Sequence, residues 1–161
     1  KTYAMTGWRI GYTAGNKDII KAMSKLQGQS TSCPNSIAQY AAIEALTGDQ
    51  SQVSAMTKIF NKRKELIVNG LNSIEHIHCE VPNGAFYAFP NISYFLNKTY
   101  NGQIINSCDD LSLLLLNEKY IVTVSGEPFG APNNIRFSYA TSEDVINQML
   151  TGLREFLALV K

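Results

Sequence analysis

Lys1-Thr2-Tyr3-Ala4-Met5-Thr6-Gly7-Trp8-Arg9-Ile10-Gly11-Tyr12 opens the chain, an aromatic and β-branched stretch punctuated by glycine. With Thr13 and Gly15 it reads as a loop followed by a buried strand over Trp8–Thr13. Arg9 stands between Trp8 and Ile10 inside that apolar run. A buried guanidinium there calls for an anion such as a phosphate; a surface one would only be reaching out to solvent. Lys1 contributes an amine, which condenses with aldehydes once deprotonated. Taken singly, both are ordinary basic residues.

Working outward, Asn16 is placed to cap a helix in which Ile19, Ile20, Met23 and Leu26 recur at helical spacing up to Gly28. Gln29–Asn35 is a polar loop with Pro34, Ser36–Leu46 a second helix, and Thr47-Gly48-Asp49 a turn. Val53, Met56, Phe60, Ile67 and Leu71 mark a long amphipathic helix, with Lys62-Arg63-Lys64 on its solvated face. The texture then changes to short strands. Cys79–Pro82 and Ala85–Phe89 are expected to form a hairpin around Asn83-Gly84. Ser107 or Asp109 starts a Leu-rich helix, Tyr120–Val124 is a strand, and Gly126–Asn134 is a Gly/Pro loop. Ile135–Ala140 is a strand, and a last helix carries Val145, Met149, Leu153, Phe156 and Val160 on one stripe. An open α/β piece, residues 1–48, therefore precedes residues 49–161, a linking helix and a small α+β domain.

In Ile135-Arg136-Phe137-Ser138-Tyr139-Ala140 the large apolar residues share one face, and Arg136, Ser138 and Ala140 share the other. If that second face is covered, Arg136 needs an anion, and its planar fork suits a carboxylate. The segment alone favours the plainer reading, an arginine on the wet side of the strand. Glu75-His76-Ile77-His78-Cys79-Glu80 places two histidines in alternation, but no third metal ligand stands at suitable spacing. Cys33, beside Pro34, lacks a neighbouring base that would activate it.

The 161 residues are 45% hydrophobic and 17% charged with a net charge of +1, enough for a core and without a basic stripe. Nucleic acid and anionic membrane are accordingly not expected as partners. No apolar run approaches the roughly 20 residues a bilayer span requires. The three cysteines, Cys33, Cys79 and Cys108, are odd in number and scattered, which fits a reducing cytoplasm. The chain does not start with Met, so the lack of a targeting segment carries no information.

The combination of segments is more specific than any one of them. Lys1 to Tyr12, with its lysine, glycine and arginine spacing, resembles the stretch around the Schiff-base lysine of class I pyridoxal-phosphate-dependent aminotransferases of the aspartate aminotransferase type. Asn134-Ile-Arg136-Phe-Ser-Tyr-Ala-Thr-Ser142 resembles the segment that carries the substrate-carboxylate arginine of that family. Ser32-Cys-Pro-Asn-Ser-Ile-Ala-Gln39 and Asn83-Gly-Ala-Phe86-Tyr87 match in order and separation. The resemblance covers essentially the whole chain. One departure is Ser125-Gly126, where the family usually has Pro-Gly.

The resemblance implies the C-terminal part of a pyridoxal-phosphate-dependent transferase fold: the tail of a large mixed-sheet cofactor domain (1–48), then a small α+β domain. It implies amino-group transfer between an amino acid, aspartate or glutamate, and a 2-oxo acid, in a cytoplasmic homodimer whose Gln29–Asn35 loop lies at the interface. By position, Lys1 would hold pyridoxal 5'-phosphate and shuttle the Cα proton. Arg9 would bind the cofactor phosphate, Arg136 the substrate α-carboxylate, and Phe86 would flank the substrate; no metal is implied. Related lyases and aromatic or alanine aminotransferases share the α-carboxylate, so Arg136 does not separate them. The family's segment ahead of the lysine lies outside this sequence, and the chain alone is expected to be inactive, a structural piece of a longer enzyme.

Overall fold

Every strand of the protein lies after residue 86, and that placement governs how its two parts are built. The computed structural model describes all of residues 1–161 and divides into two units, Lys1–Met56 and Thr57–Lys161.

The first unit is built from helices and turns. Thr6–Trp8 makes a single turn of 3-10 helix, α1 spans Lys17–Ser30, α2 spans Ser36–Thr47, and α3, Ser51–Asn72, starts here. The strand expected over Trp8–Thr13 is absent. A strand is stabilised by a ladder partner, and this unit contains no other strand. Arg9 instead turns the chain with φ 53 and ψ 42, and Trp8 (48%) and Tyr12 (80%) are exposed rather than buried. The helices start where the sequence places them. The Asn16 side chain accepts a hydrogen bond from the Asp18 amide, and that of Asn35 accepts one from Ala38. Gly28 does not stop α1. Inside a helix glycine costs about 1 kcal/mol relative to alanine, a penalty rather than a break. The helix ends where Ser32 adopts φ 64 and the amides of Thr31 and Ser32 both return to the Gln27 carbonyl.

In the second unit, β1 (Tyr87–Ala88), β4 (Val124–Ser125) and β5 (Ile135–Ser138) form an antiparallel sheet of order β1-β5-β4. The register sets Tyr87 opposite Ser138, Ala88 opposite Phe137, Val124 opposite Arg136 and Ser125 opposite Ile135. β2 (Thr99–Tyr100) and β3 (Gln103–Ile104) form a separate hairpin. α4 (Cys108–Lys119) is capped by the Ser107 hydroxyl, which accepts from Asp110, and α5 (Glu143–Leu157) by that of Ser142, which accepts from Val145. The core joins Ile67, Val68 and Leu71 of α3, Leu111 and Leu115 of α4, Ile135 and Phe137 of β5, and the inner face of α5. α3 and α5 pack closely at Gly70, where a Cβ would run into the Leu150 side chain.

Three expectations are corrected here. The hairpin around Asn83-Gly84 does not form: β1 pairs with β5, and the residues that were to oppose it are held otherwise. Cys79 exchanges hydrogen bonds with the Asn72 side chain, at 2.8 and 3.0 Å, so its backbone is satisfied without a strand. The Asn-Gly hairpin of this unit is at Asn101-Gly102, whose φ values of 48 and 84 are the positive pair a tight two-residue turn requires. The strand expected over Tyr120–Val124 shortens to Val124–Ser125, because Tyr120 (φ 56) closes α4 in the left-handed region. The core stripe of α5 is Ile146, Leu150, Leu153, Phe156 and Leu157, whereas Val145 is 47% exposed and Val160 lies beyond the helix.

Candidate active site

Lys1 and Arg9 line one cleft of about 620 Å³ within the first unit, together with Thr2, Tyr3, Met5, Thr6, Ile10, Gly11 and Tyr12, and with Ala42, Ala45 and Leu46 of α2. The segment is shaped by two non-glycine residues in the left-handed region, Ala4 (φ 54) and Arg9 (φ 53). Such a conformation costs roughly 1–2 kcal/mol per residue and persists only where neighbours enforce it. Here the Ala4 amide donates to the Lys1 carbonyl, and Arg9 donates to the Thr6 carbonyl from both its backbone (3.4 Å) and its Nη1 (3.0 Å). The Tyr3 hydroxyl reaches Gln50, which in turn donates to the Ala45 and Gly48 carbonyls at the end of α2. One concavity is thus lined by a lysine and an arginine, the residue types that an aldehyde and a phosphate ester would require.

Arg136 is half-buried on β5, between the buried Ile135 and Phe137. Its Cζ lies 4.3 Å from the centre of the Tyr87 ring and 4.8 Å from that of Phe129. Arg136 makes no salt bridge to a carboxylate; Lys119, by contrast, pairs with Glu155 at 2.7 Å. A half-buried guanidinium carrying two rings and no counter-ion is neither a plain surface arginine nor a structural salt bridge.

Phe86 packs on Tyr87 (4.6 Å between ring centres) and on Phe60 (6.2 Å), placing it one ring away from Arg136. Tyr139 pins this stretch. Its amide donates to the Phe86 carbonyl, and its hydroxyl to the carbonyl of Ala85, which sits at φ 58. Burial pushes the Tyr139 hydroxyl above the ordinary tyrosine pKa, which keeps it protonated as a donor.

The structure thus brings Lys1 together with Arg9, and Arg136 together with Phe86. It adds Tyr87 and Phe129, to which sequence reasoning assigned no role. The available signal for Phe129 was a large aromatic in an otherwise small and polar loop, bracketed by Gly126 and Gly130. That for Tyr87 was its place beside Phe86. The departure at Ser125-Gly126 leaves the loop tight. A Cβ at residue 126 would collide with the carbonyl oxygens of Ala131 and Asn134, while the Ser125 hydroxyl accepts from the Glu127 amide.

Elsewhere, His76 stacks on Tyr94 at 3.4 Å and His78 bonds Glu80 at 2.8 Å, so the two histidines serve different partners. In the Lys62-Arg63-Lys64 run, Lys62 is exposed but Arg63 is half-buried, its guanidinium 5.5 Å from the Phe60 ring centre. Cys33 is exposed; burial raises the thiol pKa of both Cys79 and Cys108.

Against known proteins, the family model described as aminotransferase class I and II matches residues 1–153. Aspartate aminotransferase of Rhizobium meliloti (strain 1021) is 45% identical over 151 residues, 93% of this chain and 37% of that protein. An aspartate/prephenate aminotransferase of Cereibacter sphaeroides is 43% identical over 159 residues, 98% of this chain and 40% of that protein. Among solved structures, an aspartate aminotransferase from Rhizobium meliloti superposes with a TM-score of 0.92 at 41% identity, over 100% of this chain and 40% of that one. The chain spans 37–40% of the length of these relatives.

Proposed function

The chain belongs to the class I and II aminotransferases, and from that premise we propose that the protein moves an amino group between aspartate or glutamate and a 2-oxo acid. Enzymes of this family depend on pyridoxal 5'-phosphate. The cleft of the first unit suits that group, since Lys1 and Arg9 both line it. When bound, the cofactor supplies an aldehyde carbon for amine exchange and a ring that accepts electrons as the Cα proton leaves.

In this reading Lys1 would hold the cofactor through Nζ and, once displaced by the substrate amine, would take and return the Cα proton. Arg9 binds the phosphate. Arg136 grips the substrate α-carboxylate with two parallel N–H bonds, and Phe86 flanks the bound amino acid. The observation that carries the reading is Arg136 itself, half-buried against two rings and without a carboxylate partner. The protein is read as a cytoplasmic homodimer with the loop after α1 at the interface. All three thiols are free, and the apolar residues Ile19, Met23, Leu26, Ile37, Tyr40 and Ile43 are exposed on α1 and α2. No helix is long and apolar enough to cross a membrane.

A second reading of the substrate is favoured by the Tyr87 ring on Arg136 and the Phe86 ring beside it, which would suit an aromatic or cyclohexadienyl side chain. The Cereibacter relative is named for prephenate as well as aspartate. Assay of the holoenzyme with 2-oxoglutarate against aspartate, phenylalanine and cystathionine tests both. Turnover of aspartate at least about tenfold above phenylalanine supports the first reading, and the reverse order supports the second. Cleavage of cystathionine without any 2-oxo acid would overturn both.

A further inference from the structure

Phe129 lies in a loop, is 53% exposed and contributes nothing to the core, yet its position is set from several sides. One turn of 3-10 helix, Glu127–Phe129, is opened by Gly126 and closed by Gly130, which takes φ 70. The Phe129 amide donates to the Gly126 carbonyl at 2.9 Å, Ala131 donates to the same oxygen at 3.0 Å, and the Gly126 amide donates to the Asn134 carbonyl at 2.8 Å. Phe89 meets the ring edge-on at 6.3 Å, and the Phe89 carbonyl is itself held by the Asn134 side chain at 2.9 Å. A half-exposed ring in so constrained a loop is not explained by burial. What it covers is the Arg136 guanidinium, 4.8 Å away, with the Tyr87 ring on the same guanidinium at 4.3 Å.

Building on the assignment of Arg136 to the α-carboxylate, we propose that Phe129 is a positioning residue for substrate binding, holding the Arg136 fork in place through its ring face. A carboxylate partner would stabilise the arginine equally well but would occupy the N–H groups the substrate needs. Aromatic faces attract the cation above and below its plane, whereas all five N–H donors lie in the plane. Two rings thus stabilise the guanidinium and restrict its rotation while leaving the donor edge available. A fork oriented in advance loses less freedom when the carboxylate binds.

The test compares Phe129→Leu and Phe129→Tyr in the holoenzyme, alone and combined with Arg136→Lys. It reads KM and kcat for aspartate, the Kd of the unreactive dicarboxylate maleate, cofactor affinity, and the Arg136 Nε–H resonance. Phe129→Leu is expected to weaken maleate binding and raise KM by about 5- to 30-fold, with kcat within about threefold of wild type. The Nε–H resonance should lose its ring-current shift and cofactor affinity should hold. Phe129→Tyr should restore binding, and Phe129→Leu should add little in the Arg136→Lys background, where the fork is already gone. Maleate binding within about twofold of wild type in Phe129→Leu overturns the proposal, as does full additivity with Arg136→Lys. If Arg136→Lys alone leaves maleate binding intact, the failure lies in the Arg136 assignment itself.

Discussion

Between Ile67 and Leu157 the chain buries every hydrophobic residue that it buries at all, apart from Ala38. The first unit forms equally regular helices but leaves Ile19, Met23 and Leu26 of α1 and Ile37, Tyr40 and Ile43 of α2 open. Both units follow their caps, since Asn16, Asn35, Ser107 and Ser142 each start a helix. Caps and helical spacing therefore suffice to define a helix, and they do not by themselves supply a packed interior. The proposed site residues divide along the same line. Arg136 stands on the central strand of a sheet inside a dense core, whereas Lys1 and Arg9 depend on a turn segment with two left-handed residues.

The comparison breaks first, and with the largest expected effect, on hydrogen exchange of the 161-residue chain. Amides of β5 and α5 should be protected on the order of a thousandfold more than those of α1 and α2, because core segments open only with the whole unit. Uniform protection from Tyr3 onward would remove the distinction. Truncation mutants sharpen it. Phe156 is fully buried and stacked on Tyr100 at 4.4 Å, so Phe156→Ala should destabilise the second unit by about 3–5 kcal/mol in denaturant melts. Leu26, 73% exposed, should tolerate alanine within about 0.5 kcal/mol. Equal losses would show that α1 is packed more firmly than its exposure indicates.

Thiol chemistry gives a smaller contrast. Cys33 should react with an alkylating reagent in the native protein, while Cys79 and Cys108 react only as the second unit opens. Burial raises the pKa of both inner thiols, so they favour folding while protonated and that contribution is lost as pH climbs through their raised values. Melting of the second unit should therefore shift downward when pH is taken from neutral to above the thiol range. A melting point that rises with pH there would contradict the burial of these side chains.

What could be read without coordinates divides by the range of the interaction. Helix starts depend on one side chain and an amide two or three residues away, so the starts at Asn16, after Asn35 and at Ser107 were legible; the Ser142 cap emerged only with the structure. Strand pairing depends on distant chain. Asn83-Gly84 and Asn101-Gly102 carry the same local turn signal, but only the second has flanking residues that pair with each other. Trp8–Thr13 has strand-like residues and no partner within its unit. In α5 the period was legible and its phase was not, because Val145 and Ile146 are equally apolar and only the packing of the helix chooses between them. At the site, Lys1, Arg9, Phe86 and Arg136 emerged through the resemblance, whereas Phe129 required seeing which ring the loop sets over the guanidinium.

The central claim is a division of labour, with the cofactor phosphate held by Arg9 and the substrate carboxylate by Arg136. The most direct measurement is cofactor Kd and kcat/KM for aspartate in Arg9→Lys and Arg136→Lys holoenzymes. Lysine keeps the charge but loses the planar fork. Arg136→Lys should therefore lower kcat/KM by about 30- to 1000-fold, equivalent to roughly 2–4 kcal/mol, with cofactor affinity nearly unchanged. Arg9→Lys should loosen the cofactor and leave discrimination between amino acids nearly as it was. If Arg136→Lys instead releases the cofactor while keeping near-normal kcat/KM at saturating cofactor, the division of labour is wrong.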